Sequence, residues 1–181
     1  VEHYTLTEAS RSDIAHGQLA PVELRDGVHD MRWGVLAPWR GHGGKRGPNV
    51  YEAALDMIDT TPVLRNARAK RRCLVHADGW FASRKIGSKR QPYWIHAAAR
   101  VAFAGLVATH DDDRIASFAI VMVPAAGIVA PFASTMPAIV DERWLDTSEI
   151  VALALTGWRA DAVASIGSVT PLGNPSQGEL F

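Results

Sequence analysis

The chain of 181 residues contains a single cysteine. Cys73 cannot close an internal disulfide, so the fold must be held by its core, and a reducing compartment is the expected setting. No apolar run approaches the roughly 20 residues that a membrane-spanning helix requires. The opening "VEHYTLTEAS" has neither the basic nor the apolar region of a secretory signal. A cytoplasmic protein without a membrane partner is therefore expected. Repeats and low-complexity tracts are absent. So are G-x-x-x-x-G-K-[ST], G-x-G-x-x-G after a strand, H-E-x-x-H and paired C-x-x-C, which removes the common signatures for nucleotides and zinc. The seven histidines form no i, i+4 pair, and neither a metal nor a cofactor is expected. His76 and His96, on apolar segments, read as hydrogen-bonded half-buried imidazoles. Cys73, flanked by Leu74 and Val75, reads as a buried structural thiol.

Apolar residues make up 48% of the chain, enough for one domain, 1–181, with a core of its own; a monomer is favoured. The formal net charge is zero, with 19 Lys/Arg against 19 Asp/Glu. Yet from Arg32 to Arg90 there are 13 Lys/Arg against four acids, and elsewhere six against 15. A basic middle between acidic ends suggests one cationic face. Charge alone leaves two readings: a nucleic-acid footprint, or a solvated surface whose charges mix in space.

"HYTL" alternates like a short strand, and Thr7 can cap a helix after it. "DMRWGVLAPW" (30–39) is a bulky strand stopped at Pro38. "RGHGGKRGPN" (40–49), with four glycines and a proline, is expected to be a mobile loop. "VYEAALDMI" (50–58) has helical composition, and "TTPVLRNARAKR" is a basic connector. "RCLVHA" and "PYWIHAA" flank the basic loop "SRKIGSKRQ" and suggest a hairpin. "RVAFAGLVATH", "SFAIVMVPAA" and "MPAIV" are further strands, the second buried on both faces. Asp146 and Glu149 open a helix over "DTSEIVALALTGW". Strands at hairpin spacing with about three helices predict an α+β fold. Its sheet is curved and largely antiparallel, bifurcated or barrel-like, with a few flanking helices.

"RWGVLAPW", "RRCLVHADGWF", "QPYWI", "FAGLV", "FAIVMVPAA", "MPAIV" and "RWLD" occur in this order. Together they resemble the SOS-response-associated peptidase (SRAP) family over most of the chain, from Tyr4 to about Asp146. The resemblance implies recognition of abasic sites in single-stranded DNA. It also implies a chemistry: an N-terminal cysteine condenses with the sugar aldehyde to a thiazolidine, assisted by an asparagine, a glutamate and a histidine.

At each of those four positions this chain differs. The family opening resembles "CGRYTLT", so Val1 stands for the cysteine, with His3 two residues on. Aligning "TTPVLR" without a gap to the family's connector puts Glu52 in the asparagine's place, Ala54 in that of an arginine and Asp56 in that of an acid. The alternative, reading Asn66-Ala67-Arg68 as the asparagine motif, leaves too short a connector. Ala82 replaces the glutamate, Ala133 the histidine, and Thr135 a neighbouring arginine. The expected protein keeps the SRAP frame without an intact catalytic set and binds single-stranded or abasic-site DNA in a basic cleft. Whether it is an enzyme stays open. Trp33, Trp39, Arg65, Arg72, Arg84 and Lys85 are the candidate nucleic-acid contacts, cations for phosphates and aromatic faces for bases. Trp80 and Trp94 belong to the same aromatic set, with core filling as their alternative role. Two further readings stand beside this one: a non-DNA interaction protein of mobile-element origin, and a hydrolase using Glu52 and Asp56 from one helix face.

Overall fold

Backbone pairing closes five strands into a ring. The computed structural model describes residues 14–35, 49–110, 115–147, 157–164 and 166. The strands are β1 (Leu19–Leu24), β2 (Gly27–Trp33), β3 (Glu52–Ala54), β4 (Arg72–Ile86), β5 (Lys89–His110), β6 (Ile115–Pro124), β7 (Thr135–Pro137), β8 (Ile139–Val140) and β9 (Arg159–Ala162). β1 pairs with β2, β4 with β5 and β5 with β6, all antiparallel; β2 runs parallel to β6, and Glu23 against Leu74 joins β1 to β4. The result is a small barrel in a mixed, mainly antiparallel sheet. β3 and β7 extend it along β6, and β8 and β9 along β5.

Strand alternation divides the apolar residues between two cores. Phe103, Val107, Phe118, Ile120, Cys73 and Val75 fill the inside with Val22 and Met31. Ala104, Leu106, Ala119, Val121 and Leu74 point outward, where the helix α1 (Pro62–Lys70) and the 3₁₀ turn Glu142–Leu145 cover them with Leu64, Ala67 and Trp144. β6 is buried on both faces from Ser117 to Val121, as its apolar run predicts.

Three local expectations change. The stretch 50–58 is not a helix: Glu52–Ala54 is a strand beside β6, followed by a 3₁₀ turn, Leu55–Met57. Alanine's helical preference is weak against a row of ladder hydrogen bonds. The basic connector is instead the helix α1, begun by Pro62 at its first position and anchored by Leu64 and Ala67 one turn apart. The segments "PYWIHAA" and "RVAFAGLVATH" are one continuous strand, and the "basic loop" is mostly ladder: Ile86 pairs with Lys89 around a turn in which Gly87 takes a positive φ. The candidate strand at 3–6, the helix after Thr7, the loop 40–48 and most of the helix after Asp146 lie outside the described residues.

Inner and outer cores meet at Gly105. It faces Cys73 across the β4–β5 ladder, and a Cβ there would collide with the Cys73 Sγ and stand 3.2 Å from Val75 Cγ2. On the same backbone, the Gly105 carbonyl accepts from Trp144 Nε1 at 3.2 Å. Gly105→Ala should therefore destabilise the protein by about 1–3 kcal/mol. Cys73→Ala in the same chain should recover part of that loss, a non-additivity that urea unfolding of the two single variants and the double variant would measure.

Candidate functional site

Ala82 and Ala133 come from distant parts of the sequence and pack against one apolar cluster. Ala82, on β4, faces Tyr93 on β5 and is buried. The Tyr93 ring rests 4.4 Å from that of Phe132, the residue before Ala133. A 3₁₀ turn at Gly127–Val129 brings that segment in, and the Ala133 amide donates to the Val129 carbonyl at 3.2 Å. Both belong to the apolar set of the inner core, which also holds Ile120, Met136 and Phe118. Neither alanine can itself carry a proton.

Glu52 stands at the rim. It opens β3 and pairs with Ile120, so the pleat directs Glu52 and Ala54 to the face that Ile120 and Met122 share. Glu52 is exposed, and Thr135, at the start of β7, is exposed as well. Glu52 and Asp56 do not share a helix face, because a strand ends and a 3₁₀ turn begins between them; the hydrolytic pair loses its geometric basis. Asn66 is exposed on α1, whose buried side belongs to the outer core. Val1, His3 and Trp39 lie outside the described residues.

The candidate DNA contacts divide by what already holds them. Trp33 donates Nε1–H to the Tyr51 carbonyl at 3.0 Å, takes an edge contact from His16 at 4.5 Å and stacks towards Phe118 in the core. Arg72, expected to meet phosphate, is instead built into the fold. Its Nε and Nη2 donate to the Trp144 and Leu145 carbonyls at 2.8 and 3.1 Å, and its Nη1 to the Arg68 carbonyl at 2.7 Å. Its guanidinium also lies over the Trp144 ring. Burial, then the nearby Arg25 charge, lower its pKa from the usual value. Arg65, Arg84 and Lys85 are exposed. The cations do not make one face. Those of α1 cluster at one end of the long hairpin, and Arg84, Lys85, Lys89 and Arg90 at its tip, up to about 45 Å away along a strand of this length.

His76 and His96 are satisfied by carboxylates, Glu23 at 2.6 Å and Asp161 at 2.7 Å. Among the described residues no group of three His, Cys, Asp or Glu is arranged to hold a metal. Two shallow surface recesses of about 320 and 340 Å³ share Glu23 and Glu142, and neither is lined by Glu52, Ala82 or Ala133.

The model of the SOS response associated peptidase (SRAP) family matches residues 4–162. The chain belongs to this family. Among curated proteins, the abasic site processing protein YoaM of Bacillus subtilis is 26% identical over 148 residues, covering 74% of this chain. The chain spans about 65% of that relative's length. Three crystal structures share the fold of this SRAP protein. One is of a Bacteroides thetaiotaomicron protein (TM-score 0.68, 21% identity, 81% of this chain and 74% of that one). The second is of a Bordetella bronchiseptica protein (0.69, 17%, 83% and 86%). The third is of a phage-related protein from the same bacterium (0.68, 24%, 87% and 85%). Among the described residues no helix is long and apolar enough to cross a membrane.

Sequence reasoning found the SRAP frame and the sheet-dominated fold. It missed the commitment of Arg72, whose three carbonyl partners include two from a turn some 70 residues away. It also missed which side of the hairpin each tryptophan takes. The run of cations around Arg72 gave no signal of the first, since only contact with Trp144 distinguishes it from its neighbours.

Two outcomes follow from the apolar cluster. Burial holds the Cys73 thiol far above its usual range, so the thiolate is absent near neutral pH. Labelling by a disulfide reagent should be negligible in the native protein, should not accelerate as pH passes about 8.5, and should become rapid in guanidinium. Ala82→Glu should be the more costly change, by about 3–5 kcal/mol at neutral pH, because it buries an unpaired carboxylate. The folded state would raise that carboxyl's pKa. The penalty should then be small below the unfolded value of about 4.3 and grow as pH rises towards the folded one, which denaturation at pH 4 and pH 7 would compare.

Proposed function

We propose that this SRAP protein binds single-stranded DNA, abasic-site DNA included, without the covalent thiazolidine capture that the family resemblance implies. One observation carries the loss of chemistry: Ala82 and Ala133, in the places of the glutamate and histidine, have no group that can carry a proton, and both pack with the inner apolar core. The chain's single thiol supports the same reading, since it is sealed in the barrel and cannot reach an aldehyde. Family membership and the name of the YoaM relative support a DNA partner. The exposed Arg65, Arg84 and Lys85 supply phosphate contacts. The 181 residues act as one domain, as a monomer in the cytoplasm, and need no metal or cofactor.

Binding without bond formation is consistent with the physical chemistry of the site. Recognition of a strand needs cations and exposed ring faces, which tolerate the loss of a proton carrier. Ring closure by an aldehyde needs a thiolate and an amine on one carbon, and general acid–base help. Glu52 at the rim of the cluster is the one ionisable group left among the described positions of the family's set. It can accept a hydrogen bond from a sugar hydroxyl and repels a close phosphate.

The full chain should bind a fluorescent single-stranded oligonucleotide with an affinity that falls steeply with salt. Incubated with abasic-site DNA, it should leave no adduct that survives heating in detergent. Affinity indifferent to salt would instead favour a non-DNA interaction protein. A spontaneous heat-stable adduct would overturn the loss of chemistry.

A further inference from the structure

From Gly79 to its tip the β4–β5 hairpin has two faces, and the inner core uses only one of them. Trp80, Ala82, Tyr93 and Ile95 point into the inner core. The register pairs Phe81 with Trp94, Ser83 with Pro92 and Lys85 with Arg90, and the pleat places these three pairs on the opposite face. Phe81 and Trp94 are half-buried and belong to neither core, with rings 4.9 Å apart. Trp94 lies across Gly79, where a Cβ would come within 2.9 Å of the indole. Glycine there leaves the ring its seat. Trp94 also lies near-parallel to His96, with ring centroids 6.1 Å apart.

Beyond these rings, the tip carries Lys85 and Arg90 on the aromatic face and Arg84 and Lys89 on the other, all exposed. Arg90 Nη1 donates to Ser83 Oγ at 2.8 Å. None of the four has an acidic partner among the described residues. The nearby acids are engaged: Asp161 with His96 at 2.7 Å, and Asp78 with Arg100 at 2.9 Å. Four residues of strand separate Arg90 from Trp94, about 13 Å.

We infer that this outer face of the hairpin is a track for single-stranded DNA, with phosphates on Lys85 and Arg90 and a base on the Trp94–Phe81 pair. The inference rests on the DNA-binding reading above and gives it a location, on the far side of the same two strands from Ala82. The chemistry selects the partner. Un-neutralised cations in a row call for a polyanion, and a ring face calls for a flat, unpaired base. A duplex offers the phosphates but hides the base faces, so single strands should be preferred.

Anisotropy titrations of the full chain with labelled oligothymidylate, at several salt concentrations, test this. The Lys85→Gln/Arg90→Gln variant should show a log K against log salt slope shallower by about 1.4, because two phosphates would no longer be neutralised. Trp94→Leu should weaken binding by about 5- to 150-fold, and Trp94→Phe should restore most of it, because a ring face returns. The charge variant alters exposed residues only, so it reports even where Trp94→Leu unfolds. If the wild type binds and the charge variant binds identically at every salt concentration, the hairpin track is overturned while DNA binding stands. A wild type that does not bind overturns both.

Discussion

Strand β5 must satisfy the hydrogen-bonding groups on both of its edges along 22 residues, and the rest of the molecule is arranged around that requirement. One edge is met by β4, from Lys89 to His96 and again from Val101 to Leu106, with an irregularity between them. The other is met piecewise, by β9 at Tyr93–His96, by β8 at Ala102 and Phe103, and by β6 from Gly105 onward. Each change of partner is also a change of structural layer. The β6 contact closes the barrel, the β8 contact leads into the Trp144 turn, and the β9 contact backs the exposed hairpin. Gly105 stands where the last of these demands coincide, with Cys73 on one side and Trp144 on the other. A side chain there would push apart the two cores that β5 joins.

The same ladder decides which way each side chain of the hairpin faces. Ala82 and Tyr93 are partners, and their neighbours one residue along face the other way. A single pair of strands thus supplies both a filled apolar interior and an outer face of rings and cations. An apolar residue at position 82 lets the interior pack without a desolvated charge. A change on the inner face of these strands leaves the rings and cations of the outer face in place, because the pleat keeps the two sets of side chains on opposite sides.

How much of this is legible in the sequence depends on whether the deciding interaction is local. The strands "RCLVHA" and "SFAIVMVPAA" announce themselves by β-branched and apolar runs, and the spacing of "RRCLVHADGW", "FAGLV" and "MPAIV" carries the frame. Alternation shows that Trp80 and Trp94 lie on opposite faces of a ladder only once the pairing of Phe81 with Trp94 is known. Residues 50–58 read as a helix by composition, and only the presence of β6 alongside makes Glu52–Ala54 a strand. Arg72 reads as a surface cation among surface cations, and only the distant Trp144 turn reveals it as a clamp. The α1 helix is short, with just Val63, Leu64 and Ala67 for an apolar side, too little to show against a basic background.

The parallel register of β2 with β6, Arg32 beside Ser117 and Trp33 beside Phe118, joins an early segment of the chain to a late one. The β4–β5 hairpin between them closes over a two-residue turn and needs nothing from either end. Loop-closure entropy therefore sets an assembly order: the hairpin forms as a local unit, and the ring shuts last. During synthesis β1 and β2 leave the ribosome with their inward residues, Val22 and Met31, uncovered, and they wait in that state until β6 emerges. In that interval the nascent chain exposes apolar strand faces, and the cations of its middle, from Arg65 to Arg90, supply repulsion between copies.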